Sequence, residues 1–130
     1  MANKEQMDLL KQGSQSWNAW RAAQSGAAVD LSGGALRGLD LEGVDLSSAD
    51  LRDADLRGVN LRSANLTGAH LEGANLFKAI LNGADLNKAD LSGVQFLQCP
   101  QLESAQNWQS AYRDEDLACG AAIPVKPDIS

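Results

Sequence analysis

One histidine, His70, and two cysteines, Cys99 and Cys119, are the side chains best suited to acid–base, nucleophilic or metal chemistry in this 130-residue chain. Their placement assembles no catalytic site. A thiolate nucleophile needs a base beside it, and the one histidine stands mid-chain, far from both cysteines. No nucleophile–base pair, phosphate loop or metal-ligand motif occurs. Trp17, Trp20, Trp108 and Tyr112 offer a different chemistry, stacking on a flat ligand. A non-enzymatic protein without cofactor or metal is the expectation, and the elements that carry these residues explain why.

A large apolar residue recurs every fifth position: Leu31, Leu36, Leu41, Leu46, Leu51, Leu56, Leu61, Leu66, Leu71, Leu76, Leu81, Leu86, Leu91 and Phe96. On an α-helix, steps of five rotate by roughly 140° and scatter the leucines around the cylinder. On a strand, an odd period sends alternate leucines into water. Only a chain that turns after every repeat points all of them inward, which describes a coiled solenoid. The position two before each centre holds eight Ala and four Val, with Gly34 and Leu39 as exceptions. The position two after it is often Gly, as at Gly33, Gly38 and Gly43, suiting a corner. Asp or Asn just before the centre hydrogen-bonds readily to turn backbone.

The flanks read differently, and three segments result: an N-terminal cap over 1–28, the array over 29–98, and a C-terminal cap and tail over 99–130. A helix is expected over 3–25, with Met7, Leu10, Trp17 and Trp20 on its apolar stripe. Pro100 suits the first turn of a second helix, whose face would hold Leu102, Ala105, Trp108 and Tyr112. Residues 118–130 read as a loose tail. At the two ends of an array that would otherwise expose leucines and strand edges, these aromatics are read as caps rather than a ligand site. The net charge of −6 argues against a general nucleic-acid binder. No secretory or membrane-spanning stretch is visible, so a cytoplasmic monomer with no membrane contact is expected.

The unit A-(D/N)-L-x-x resembles the pentapeptide repeat family, as in Ala49-Asp50-Leu51-Arg52-Asp53 and Ala84-Asp85-Leu86-Asn87-Lys88. Fourteen units in unbroken register carry the resemblance. The flanks Trp17-Asn18-Ala19-Trp20-Arg21 and Asn107-Trp108-Gln109-Ser110-Ala111-Tyr112 look like those of small bacterial, especially cyanobacterial, members. The resemblance implies an all-β solenoid: a right-handed quadrilateral β-helix of about 3.5–4 coils, twenty residues per coil, with short α-helical caps at both ends.

Twenty-residue coils stack the sequence into columns. Arg52 then faces Glu72 and Glu42 faces Arg62, as cross-strand pairs. Phe96 ends the column Leu36/Leu56/Leu76, where its ring would help close the interior. Asp50, His70 and Asp90 share an outward column that could take a divalent metal, although a flat wall offers no cleft and no fourth ligand. Phe77 and Ile80 break the polar rule of the outer surface. They are either a partner surface or are covered by the C-terminal segment or a second copy. Cys99 and Cys119 would meet if the chain folds back after Arg113-Asp114-Glu115-Asp116, whereas a reducing cytosol keeps thiols free; both readings stand. The leading function is a structural or interaction module for an unidentified protein partner. The alternatives are a DNA-mimicking ligand of DNA gyrase, as some family members are, and a metal-binding surface.

Overall fold

A computed structural model describes residues 2–127. Each centre leucine opens a β-turn in which the N–H three residues on donates back to its carbonyl. Examples are Gly34 to Leu31 at 3.0 Å, Ala54 to Leu51 at 3.1 Å and Ala64 to Leu61 at 3.0 Å. The third turn residue lies in the left-handed region, at φ 66° in Gly33 and 74° in Gly73, which glycine reaches without a Cβ penalty. Ser48, Asp53, Ser63, Lys78 and Lys88 take the same conformation with a side chain attached.

Turns every five residues bring the chain back under itself after twenty. Parallel bridges join Asp30 to Asp50, Asp50 to His70 and His70 to Asp90, and the same step links Ala35 to Asp55 and Asp45 to Asn65. Each bridge carries paired backbone bonds, such as Leu31 N–H to Asp50 O at 2.8 Å and Asp50 N–H to Val29 O at 2.9 Å. The result is a β-solenoid with four turns per twenty-residue coil. Its interior is a stack of leucine layers, and the centre leucines from Leu31 to Leu91 are at most 2% exposed.

Phe96 departs from the inward column. It sits at φ 59° and is 64% exposed, while Leu97, at 8%, is buried in its place. The layer is cut to leucine, and a ring there would overpack it. One left-handed residue exchanges the two side chains.

The single helix expected over 3–25 is two helices, α1 (Lys4–Leu10) and α2 (Ser14–Ala23). They part at Gly13, whose φ of 110° is outside helical geometry. Asn3 caps α1 by accepting the Gln6 N–H at 3.0 Å. Met7, Leu10 and Trp17 are buried and Trp20 partly so. The second expected helix is shorter still: α3 spans Cys99–Glu103, with Pro100 in its first turn. Beyond it come two single 3-10 turns, Trp108–Ser110 and Glu115–Leu117, and extended residues beside the first of them rejoin the ladder: Gln106 bridges Asp85 and Tyr112 bridges Asp90. Leu102, Ala105, Trp108 and Tyr112 therefore do not share a helix face. The last coil leaves N–H and C=O groups of residues 84–91 open, and extended backbone pairs with them as a helix does not. Gln106 N–H donates to Ala84 O at 2.7 Å, and Leu91 N–H donates to Tyr112 O at 2.8 Å. The tail is tied down at Ala122 and Lys126. Met1 and residues 128–130, the outer ends of the two flanking segments, lie outside the described residues.

Candidate interaction surface

The first coil has no coil beneath it, so its backbone edge needs other partners. Side chains from the N-terminal helices supply them. The Gln6 amide donates to Ala28 O at 2.8 Å and accepts the Asp30 N–H at 2.8 Å. The Asn18 amide repeats this on the next edges, donating to Gly43 O at 3.0 Å and accepting the Asp45 N–H at 2.8 Å. Trp17 Nε1 donates to Asp45 O at 2.7 Å, and Arg21 donates to Ser47 O at 2.9 Å. An amide side chain carries both a donor and an acceptor, as a peptide group does. The sequence reading missed Gln6 and Asn18. Gln6 falls four residues before Leu10, on the apolar stripe, and a polar residue there was the available signal.

At the other end Arg113 is 5% exposed. Its five guanidinium hydrogens face the carbonyls of Ala111, Leu117, Ala118, Gln109 and Ala122 at 2.8–3.2 Å, and the ring of Trp108 lies 5.2 Å from its centre. Burial lowers its pKa. Nothing in its sequence position, beside three acidic residues, marks it as an internal strut. Cys99 and Cys119 form a disulfide across the same segment, with Cα atoms 5.6 Å apart.

The polar residues of the walls are largely engaged with their own coil. Asp30, Asp50, Asp55, Asn65 and Asn75 each accept the N–H two residues on, at 3.0–3.2 Å. Arg52 grips Asp50 with both Nε and Nη2, at 2.9 and 2.7 Å, so its partner is in its own repeat rather than Glu72. Arg57 holds Asp55 in the same way, and that hydrogen bond pulls the Asp55 carboxyl down to about 2. Arg62 makes no ion pair with Glu42 among the described residues.

Asp50, His70 and Asp90 stack in the ladder, yet their side chains do not converge on a metal. Asp50 is taken by Arg52 and Asp90 by Lys126, at 2.6 Å. His70 Nδ1 turns to Glu72, at 3.4 Å. Among the described residues, the cluster whose ligand atoms do come together is Cys99, Glu103 and Cys119. Its sulfurs are bonded to each other and are not thiolate ligands.

Phe77 and Phe96 break the polar surface together. Phe77 is 48% exposed, so the C-terminal segment does not cover it. The two rings meet edge-on, 5.9 Å between centroids, and Lys78 Nζ lies 5.3 Å from the Phe77 ring. Beside them runs a groove of about 610 Å³ between the third coil and α3, lined by Phe77, Ile80, Phe96, Pro100 and Gln101 among others. Phe77 and Ile80 were legible as exceptions to the repeat. Phe96 was not, because its position in the register is an inward one.

The sequence matches the family described as Pentapeptide repeats in eight copies, over residues 27–62 and 54–93. Among solved structures it is similar to HetL, a pentapeptide repeat protein involved in heterocyst differentiation regulation from the cyanobacterium Nostoc. Identity is 34%, coverage is 68% of this chain and 40% of HetL, and the TM-score is 0.36. It is also similar to Rfr23 from the cyanobacterium Cyanothece, at 32% identity, 72% and 65% coverage and a TM-score of 0.25. A pentapeptide repeat protein of the Arabidopsis thaliana thylakoid lumen gives 24% identity, 74% and 71% coverage and a TM-score of 0.29. The chain thus spans less than half the length of HetL. No curated protein sequence matches it. With the family match running from residue 27 to 93 and a turn after each five-residue unit, this chain belongs to the pentapeptide repeat family.

Proposed function

We propose that the protein is a non-enzymatic interaction module whose stiff β-solenoid presents a surface to a protein partner. The observation that carries this reading is the contrast on the surface. Most Asp and Asn side chains of the walls are consumed by turn and coil bonds, while Phe77 and Phe96 stand exposed together. Paired exposed aromatics on an otherwise polar wall are the composition of a binding surface rather than of a solvated one. The family match indicates no catalytic family.

The reading includes a right-handed quadrilateral β-helix of 3.5–4 coils, closed by caps. Supporting the caps are the bonds from Gln6, Trp17, Asn18 and Arg21 to the first coil and those of Gln106 and Tyr112 to the last. An oxidising compartment suits the Cys99–Cys119 disulfide better than a reducing cytosol does. The test is capture on the immobilised full chain from an extract of its native host, followed by cross-linking. A protein retained near one-to-one stoichiometry is the expected result. Retention of nothing above a background column overturns the module reading.

A further inference from the structure

We propose that the groove between the third coil and α3 is the docking site for an acidic protein segment carrying an aromatic or large aliphatic side chain. The proposal rests on the module reading and names the chemistry of its partner. Phe77, Ile80 and Phe96 give the groove an apolar floor and rim. Phe96 is turned outward by a left-handed backbone that bulky residues seldom adopt, which puts the second ring beside the first.

Charge selects the occupant. The chain carries a net charge of −6, yet no carboxylate lines the groove, and Lys78 does. Arg57 lines an adjoining notch with the same two phenylalanine rings. Arg62 lies one coil below, between the bonds that Leu61 and Ser63 donate to Ile80 and Asn82. Lys78 and Arg62 make no ion pair among the described residues. Lys78 thus stands unpaired on the lining of an apolar groove of an acidic molecule, and Arg57, already held by Asp55, borders it. A short acidic segment would set its apolar side chain against the rings and a carboxylate on Lys78. A nucleic acid fits less well: it needs a continuous basic track, and the negative field of the whole chain opposes a long polyanion.

Amide NMR of the full chain, titrated with a short synthetic peptide of Glu, Asp, Phe and Leu, tests the assignment. Shifts are expected at Phe77, Lys78, Ile80, Phe96 and Gln101, weakening as salt rises. The double variant Phe77→Ser/Phe96→Ser, which alters only exposed rings, should weaken binding by about tenfold or more. Lys78→Glu should weaken it independently. A peptide with Lys in place of Glu and Asp should not bind there. Equal binding of that peptide, or shifts confined to another wall, overturns the proposal. If an oligothymidylate alone moves the groove signals, the site is a nucleic-acid site. If dilution of the protein alone moves them, it is a contact between copies. Should the groove fail while extract capture succeeds on another face, the module reading stands without this site.

Discussion

At the scale of single residues, the Asp or Asn that precedes most of the centre leucines does two jobs in one slot. As an acceptor it fixes the turn through the N–H two residues on, and Asn serves as well as Asp, as at Asn65 and Asn75. As a charge, Asp holds a cation that Asn does not. Asp55 shows the difference, because the Arg57 hydrogen bond holds its carboxyl at about 2, against an ordinary 3.8. The Arg52 hydrogen bond lowers Asp50 and the Ser32 hydroxyl lowers Asp30. In Asp90 burial pushes the other way, but bonds from Lys126 and Ser92 together outweigh it. A carboxyl lowered in the folded state stabilises the fold above its unfolded pKa, and that stability is lost as pH falls through the folded value. Thermal stability should therefore decline from pH 3.8 towards 2. Asp55→Asn keeps the turn acceptor and removes the charge, so its melting temperature should fall less steeply over that interval. A slope equal to the parent's would show that the Asp55–Arg57 pair does not drive the acid loss.

At the scale of elements, the repeat was legible because one five-residue unit makes one turn and its leucine has only one place to go. The departures were not, and each has a local cause. Gly13 divides a stripe that periodicity alone runs together. Gln106 and Tyr112 rejoin the ladder at spacings of 21 and 22 rather than 20, because the α3 segment adds one residue that the repeat does not count and the 3-10 turn Trp108–Ser110 adds a second. The binding groove was half legible: Phe77 and Ile80 stood out, whereas Phe96 was hidden by sitting in register. The turns themselves invite a test of opposite signs. Lys88 holds φ 59° with a side chain, a conformation costing an L-residue about 1–2 kcal/mol. Glycine removes that cost and gives back about 0.5–1 kcal/mol as added freedom of the unfolded chain. Lys88→Gly should thus be neutral to stabilising, by up to about 1 kcal/mol. Gly73 has the same kind of corner, at φ 74°, where an added Cβ is strained, while the Asp53 carboxylate that it would meet one coil below is exposed and can swing aside. Gly73→Ala should destabilise by about 1 kcal/mol or more. Urea midpoints of the two variants shifting in the same direction would show that the corner conformation does not set their stability.

At the scale of the whole molecule, a solenoid has no intrinsic end, since each coil contacts only its neighbours and the outermost edges stay open. The two ends are closed by different means. The N-terminal end is closed by helix side chains that imitate a missing strand. The C-terminal end is closed by backbone: two further bridges, then a loop gathered around the buried Arg113 guanidinium and cross-linked by Cys99–Cys119. That second closure depends on an irregular segment with little leucine core of its own. A cross-link spanning 20 residues should therefore matter more there than its position near the chain end suggests, contributing about 3 kcal/mol by the chain-entropy argument. Because coupling along a solenoid is between neighbours, reduction should act first on the end that carries the bond. Treatment with a phosphine reductant is expected to lower the melting temperature. It should also speed amide exchange at Gln106 and Tyr112, while Leu51 and Leu56, two coils away, keep their protection. Uniform loss of protection along the array would mean the coils unfold as one unit. An unchanged melting temperature with unchanged exchange would mean that the bridges and Arg113 close this end without the disulfide.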